Sequence, residues 1–445
     1  MTAAPALLQI LLVFVLVVVA TSFKVHLGLA AALGGLALSL WRGLGIRATA
    51  IAVASEVFSA DLILLVALMS LIMFFSSAMK KSKAMDRFAI AIVEAAPSRR
   101  SAMAIAPLLI GTLPVPGGAI LSAPLLASMD EGHTQGGRFL AAANYWFRHT
   151  LELVWPLYPA FILTSSLTGY PTAKLAAINI YAPFAVFVLG LIFILPKSEI
   201  PGKDRLGKPK LRPFLEGVAP LGVVLCSYLL VSFVWSALAP FSGAQEETKR
   251  LIGRYIPIFA GLCLGCLYLW RSAIRASLAL GSGEDSSRAA SIFSDGIGAG
   301  TPRLLAVLVG VRIFSALLGV AGLPRAAAEE LTSLGIPGIV AAALVPFIAG
   351  LVTGVGFGYV GLAFPIVIGL FPEGSPFPRE AAIALACAWG YAGMMFSPLH
   401  VCMVVSAEHF NAGLPATIRR FALPLAIFLA VATAYSAILA LVFSR

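Results

Sequence analysis

Arg148, His149 and Glu152 fall in NYWFRHTLELVWPLYPAF, Asn144 to Phe161, inside a stretch apolar enough to cross a bilayer. An ionisable side chain there costs roughly 2.5–3.5 kcal/mol on insertion scales, so it is kept for a function or a partner. Arg148 and Glu152 are spaced i, i+4, which on a continuous helix puts them on one face where they can pair. Pro156 and Pro159 break the helix and free backbone carbonyls that lipid cannot satisfy. The segment must therefore face protein or a water-filled cavity.

A second buried guanidinium is expected at Arg312, in VLVGVRIFSALLG. No acid lies within four positions of it. It can pair with Glu152 across the fold, snorkel to an interface, or join Arg148 as a forked donor to a carboxylate or phosphate. Pro116, Gly117 and Gly118 in GTLPVPGG, and Gly356 and Gly358 in TGVGFGYVG, mark interrupted segments. Exposed N–H groups at such half-helix ends bind anions, although each glycine also serves close packing. His149 and His400 titrate near neutral pH and are proton-coupling candidates. Asn144, Thr112, Thr353 and Ser397 offer oxygen ligands. Glu408 and His409 fall near a helix end and read as solvated.

The elements that position these residues follow from composition. The chain has 445 residues, 60% hydrophobic and 11% charged, with mean hydropathy +0.97. A soluble domain carries about 25% charged residues, so this is an all-α polytopic membrane protein. The net charge of +11 does not indicate nucleic acid, because the cations sit in short loops between apolar spans. The five cysteines, Cys226, Cys263, Cys266, Cys387 and Cys402, read as small buried hydrophobes, and no metal site is expected. The first span lacks a basic leader and a small-residue cleavage site, so it does not read as a cleaved signal.

Spans are expected at 6–20, 25–41, 58–79, 172–195, 215–238, 255–270, 304–322 and 416–443. Two segments cannot cross as straight helices. Residues 102–126 split into halves of about ten residues, too short for ~30 Å of hydrocarbon at 1.5 Å per residue. They read as a re-entrant hairpin, as do residues 337–371. Residues 144–167 and 380–406 read as broken helices. Pro107-x-x-x-Gly111 recurs as Pro346-x-x-x-Gly350, and WPLY at 155–158 recurs as SPLH at 397–400. The order of elements gives two repeats, 1–195 and 214–445, joined by a cytoplasmic linker at 196–213. Five crossings per half is odd, so the repeats are inverted, giving about ten spans. Placing the linker in the cytoplasm puts most of the 31 lysines and arginines on that side, with both termini outside.

The strings LPVPGGAILSAPLL and NYWFRHTLELVWPLYP resemble domain-of-unknown-function family 401, integral membrane proteins of bacteria and archaea. That family is grouped with the ion transporter superfamily of gluconate, citrate, arsenite and dicarboxylate carriers. The resemblance covers most of the chain and implies two inverted repeats with two hairpins and two broken helices. It implies no substrate. The Ser-Asn-Thr triplets that the dicarboxylate branch carries at its hairpin tips are absent, which counts against a sodium site of that type.

No G-x-x-x-x-G-K-[ST], H-E-x-x-H or G-x-S-x-G occurs, which excludes those nucleotide, metalloprotease and hydrolase signatures. The expectation is a secondary transporter, not an enzyme, for a small anionic solute. It would lie in the inner membrane, with H+ or Na+ as candidate coupling ion, no cofactor, and a homodimer open. The alternatives are a flippase for lipid or polyprenyl phosphate and an intramembrane enzyme acting on a lipid. Arg148→Gln and Arg312→Gln are each expected to abolish transport and leave folding intact.

Overall fold

The computed structural model describes residues 4–82, 98–112, 119–130, 136–195, 211–280, 301–372 and 374–444, with positions 84, 85, 87, 91 and 96. Every regular element among them is helical. Among the described residues, six helical segments are long and apolar enough to cross a membrane: Ala60–Lys81, Leu215–Phe241, Glu246–Arg275, Thr301–Val320, Arg379–His409, which is interrupted at 397–400, and Leu414–Phe443. Their outward faces carry large apolar side chains such as Phe233 and Leu441, which suit lipid rather than water. Cys226 and Cys263 lie exposed on such faces, and only Cys387 is fully buried, so the expectation of five buried thiols is corrected.

The span expected at 172–195 is not straight. Thr172–Ile178 and Tyr181–Ile194 meet at a 47° bend and make a seventh span if counted together. The Asn179 side chain donates to the Leu175 carbonyl at 3.0 Å, competing with the backbone ladder where the helix stops. Residues Gly190–Ile194 form a π-turn. Arg100 donates to the carbonyls of Leu191 (2.5 Å) and Leu195 (2.7 Å) there, satisfying groups that the helix end leaves open. Two helices, Ile46–Val57 and Leu323–Ser333, fall where the hydropathy pattern gives only connectors. The linker 196–210 and the tip at 113–118 lie outside the described residues.

The other apolar helices are short. Arg99–Gly111 packs on Ala119–Ser128, and Gly338–Thr353 on Gly356–Leu370. The two pairs fall on the segments 102–126 and 337–371. Gly338–Thr353 also packs along Arg379–Phe396. A Cβ on Gly350 would strike the Gly390 carbonyl, and one on Gly393 would strike that of Phe347. Small residues let these backbones approach closely, as intramembrane helix pairs require.

Leu27–Trp41 and Thr301–Val320 cross in the same way, at Gly28 and Gly310. A Cβ on Gly310 would meet the Gly28 backbone, which cannot give as a flexible side chain can. Gly310→Ala should therefore force the helices apart and destabilise the protein by about 1–3 kcal/mol. A lowered melting midpoint of detergent-purified protein is the expected readout.

Candidate functional site

Helix Gly137–Arg148 stops at Arg148, residues 149–158 are non-helical, and Pro159 begins helix Pro159–Thr168. This is the first break. A pre-set φ and no N–H suit Pro159 to a first helical position. The break carries Glu152 off the helix, so Arg148 and Glu152 do not share a helix face. No ion pair joins them among the described residues. The expected i, i+4 pair is corrected for that reason: its spacing presumes a helix that the chain has already left.

The break instead caps the end of helix Arg99–Gly111. The Tyr158 hydroxyl lies 2.7 Å from the Gly111 carbonyl and 3.0 Å from that of Arg148. The Trp155 indole donates to the Thr112 carbonyl at 2.8 Å. These are terminal carbonyls of two short helices, the groups that must find donors away from water. WPLY is thus a device for ending helices as well as for breaking one.

The second break separates Arg379–Phe396 from Val401–His409. It receives the tip of the second hairpin. Gly354 has φ +63°, and a Cβ on it would lie 2.9 Å from the His400 backbone nitrogen and 3.0 Å from Ser397 Oγ. Only glycine combines that conformation with so close an approach.

The two breaks meet. His149 Nε2 and His400 Nε2 are 3.0 Å apart, and both side chains are buried. Tyr145 stands over both, with ring centroids 4.9 Å from His149 and 5.3 Å from His400. Its hydroxyl donates to the Met395 carbonyl at 3.2 Å. Asn144 completes the junction, donating to Ser406 Oγ at 2.9 Å and to the Ala119 carbonyl at 3.2 Å. It ties the first hairpin to the second broken helix.

Gly356 opens the second arm of its hairpin, beside Glu152. Its Cβ would lie 3.0 Å from Glu152 Oε1. The positive end of that helix therefore faces a carboxylate of the protein itself. Gly358 packs against Thr353, whose hydroxyl donates to the Ala349 carbonyl, so its role here is close packing. Thr112 likewise turns its hydroxyl back, to the Leu109 carbonyl. Pro116, Gly117 and Gly118 lie outside the described residues.

Arg312 belongs to another cluster. It pairs with Glu56 at 2.6 Å and with Asp61 at 3.1 Å, and donates to Ser166 Oγ at 2.7 Å. Asp61 also takes Arg254 at 2.5 Å and the Tyr255 hydroxyl at 2.9 Å. Two guanidinium groups and two carboxylates balance. The expected pairing of Arg312 with Glu152 is corrected, as is its reading as a free anion donor. Helix Thr301–Val320 packs on Ile46–Val57 and Ala60–Lys81, which carry the acids. Sequence reasoning overlooked Glu56, Asp61 and Arg254. The signal for the two acids was present in IAVASEVFSADLILLV, where single acids interrupt an apolar run.

Six buried polar atoms near the junction of the breaks have no hydrogen-bond partner in the protein: Asn144 Oδ1, Arg148 Nη1, His149 Nδ1, Thr150 Oγ1, Tyr391 Oη and His400 Nδ1. Buried polar groups are normally satisfied, so such a concentration marks a place built to meet something polar. A separate cavity of about 560 Å³ is lined by Tyr170, Lys174, Ser375, Arg379 and Glu380 among others. None of its lining residues belongs to either break.

A protein-family model described as "Protein of unknown function (DUF401)" matches residues 6–242 and 301–440. Among solved structures, the chain is similar to the YdaH transporter of Alcanivorax borkumensis, described as having an unusual topology. The match has a TM-score of 0.56 at 13% identity and covers 89% of each chain. No functionally curated protein matches the chain by sequence.

Proposed function

As the chain belongs to this family of unknown function, DUF401, and shares a fold with a solved transporter, we propose that it is a secondary transporter of a small anionic solute. The observation that carries the reading is the set of orphaned polar atoms where the breaks meet. Arg148 supplies the cationic donor, Thr150 and Tyr391 neutral hydroxyls, and Asn144 an acceptor. A carboxylate or phosphate oxygen answers the donors, and a hydroxyl on the same solute answers Asn144.

The architecture proposed is two inverted repeats with re-entrant hairpins, in the inner membrane with both termini outside. Alternating access would move the hairpin tips against the breaks. The decisive experiment is uptake into proteoliposomes, preceded by thermal-shift screening of mono-, di- and tricarboxylates and sugar phosphates. Stabilisation by an anion that is then accumulated supports the proposal. Absence of uptake for every stabilising anion refutes it.

The His149–His400 pair is the proposed proton carrier. When both rings are neutral, one Nε2 donates to the other. A further proton can enter at a free Nδ1 and leave a charge-assisted contact. A second added proton would set two N–H groups face to face and part the breaks. His149→Gln and His400→Gln should each flatten the pH dependence of uptake. Wild-type pH profiles in both would remove the pair from the mechanism.

A further inference from the structure

We infer that His149, His400 and Cys402 form a binding site for a borderline or soft transition-metal cation, with Co2+, Zn2+ and Cu+ as the fitting class. Their ligand atoms all lie within 4.8 Å of one another. This goes beyond anion transport, since it concerns metal capture by the same junction and is measurable without any uptake.

The geometry is close to a ligand set. Metal–nitrogen bonds of about 2.0–2.1 Å at tetrahedral angles put two imidazole nitrogens roughly 3.3 Å apart. The two Nε2 atoms stand 3.0 Å apart along their hydrogen bond, so the nitrogen spacing already suits a shared cation and each ring has only to turn its Nε2 off the N···N line toward it. The widest separation must shorten by about 1 Å to bring a thiolate to its 2.3 Å bond. Two imidazoles and one thiolate select this class of metal over Mg2+ or Ca2+, which prefer oxygen. Three protein ligands leave a fourth position open, the pattern of exchangeable rather than closed sites.

The three residues come from different elements. His149 begins the first break, His400 ends the second, and Cys402 is the second residue of Val401–His409. Bound metal therefore clamps the two breaks together. Binding balances by proton release: the Cys402 S–H bond breaks, its sulfur takes the metal, and one proton leaves to solvent. The proton on the donating Nε2 shifts to Nδ1, so both rings present bare Nε2 atoms. Neither Nδ1 has a partner in the protein. Metal-binding histidines usually gain affinity from such a partner, so the site is a reversible one and not a structural staple.

The test is Co2+ titration of tag-free, full-length protein in detergent, read by absorption spectroscopy, with Zn2+ competition. The expected result is one Co2+ per chain with tetrahedral d–d bands and a thiolate-to-cobalt charge-transfer band. Cys402→Ser should lose the charge-transfer band, and His400→Gln should weaken binding at least about tenfold. A wild-type spectrum that is octahedral or free of sulfur overturns the inference whatever the variants do. So does a charge-transfer band that survives Cys402→Ser. If His400→Gln elutes as aggregate on size exclusion, the wild-type and Cys402→Ser spectra decide alone. Uptake that persists with no cobalt site refutes the metal inference only, and a cobalt site without anion uptake refutes the transporter only.

Discussion

Arg312→Gln should cost the protein its fold rather than only its transport. The guanidinium serves Glu56 and Asp61 together, with 10% of its side chain exposed against 16% and 19% for theirs. Removing one partner of a buried pair costs about 3–5 kcal/mol, because the other charge stays behind without its counter-ion. Asp61 keeps Arg254; Glu56 keeps no ion pair among the described residues. The expectation from sequence, intact folding with no transport, is therefore replaced. Thermal melts in detergent should show Arg312→Gln far below wild type. Glu56→Gln with Arg312→Gln restores neutrality and should recover part of the loss. A melt of Arg312→Gln indistinguishable from wild type would show that the cluster contributes nothing.

The second large effect is functional. Arg148→Gln should weaken anion binding by about 10- to 100-fold, the equivalent of one charge-assisted hydrogen bond at roughly 1.5–3 kcal/mol. Arg148 has no carboxylate within ion-pair distance among the described residues, and its Nη1 atom has no partner. Its loss should disturb stability much less than that of Arg312. Arg148→Lys keeps the charge and loses the fork, so it separates a point-charge role from bidentate recognition. Binding is checked by titrating the stabilising anion against the melting midpoint. Equal affinity in wild type and Arg148→Gln would remove Arg148 from the proposed site.

Both arginines stand in stretches apolar enough to cross a bilayer, Arg148 with Glu152 four positions on and Arg312 with no acid near it in sequence. Their fates differ because of what packs around them. Arg312 faces acids 256 and 251 positions back, on helices laid beside it. Arg148 ends a helix whose next turn has been undone by the residues before Pro156. Spacing along the chain speaks only to neighbours within a turn or two, so it could suggest a pair with Glu152 and nothing more distant. The junction histidines are separated by 251 positions, and no local pattern joins them.

What the sequence determined on its own was set by backbone chemistry. Apolar runs in a solvent without hydrogen-bond partners must be helical. WPLYP, TGVG and FSPLH cannot continue a helix, and the helices stop where those strings fall. That each buried charge needed an answer was equally legible. Which group answers it was decided by tertiary structure alone. Arg312 found Glu56 and Asp61, His149 found His400, and Gly354 came to rest on the second break. The reason is physical: propensity and hydropathy act through adjacent residues, whereas these contacts come from helices brought together by glycine-sized gaps and by shared apolar surface.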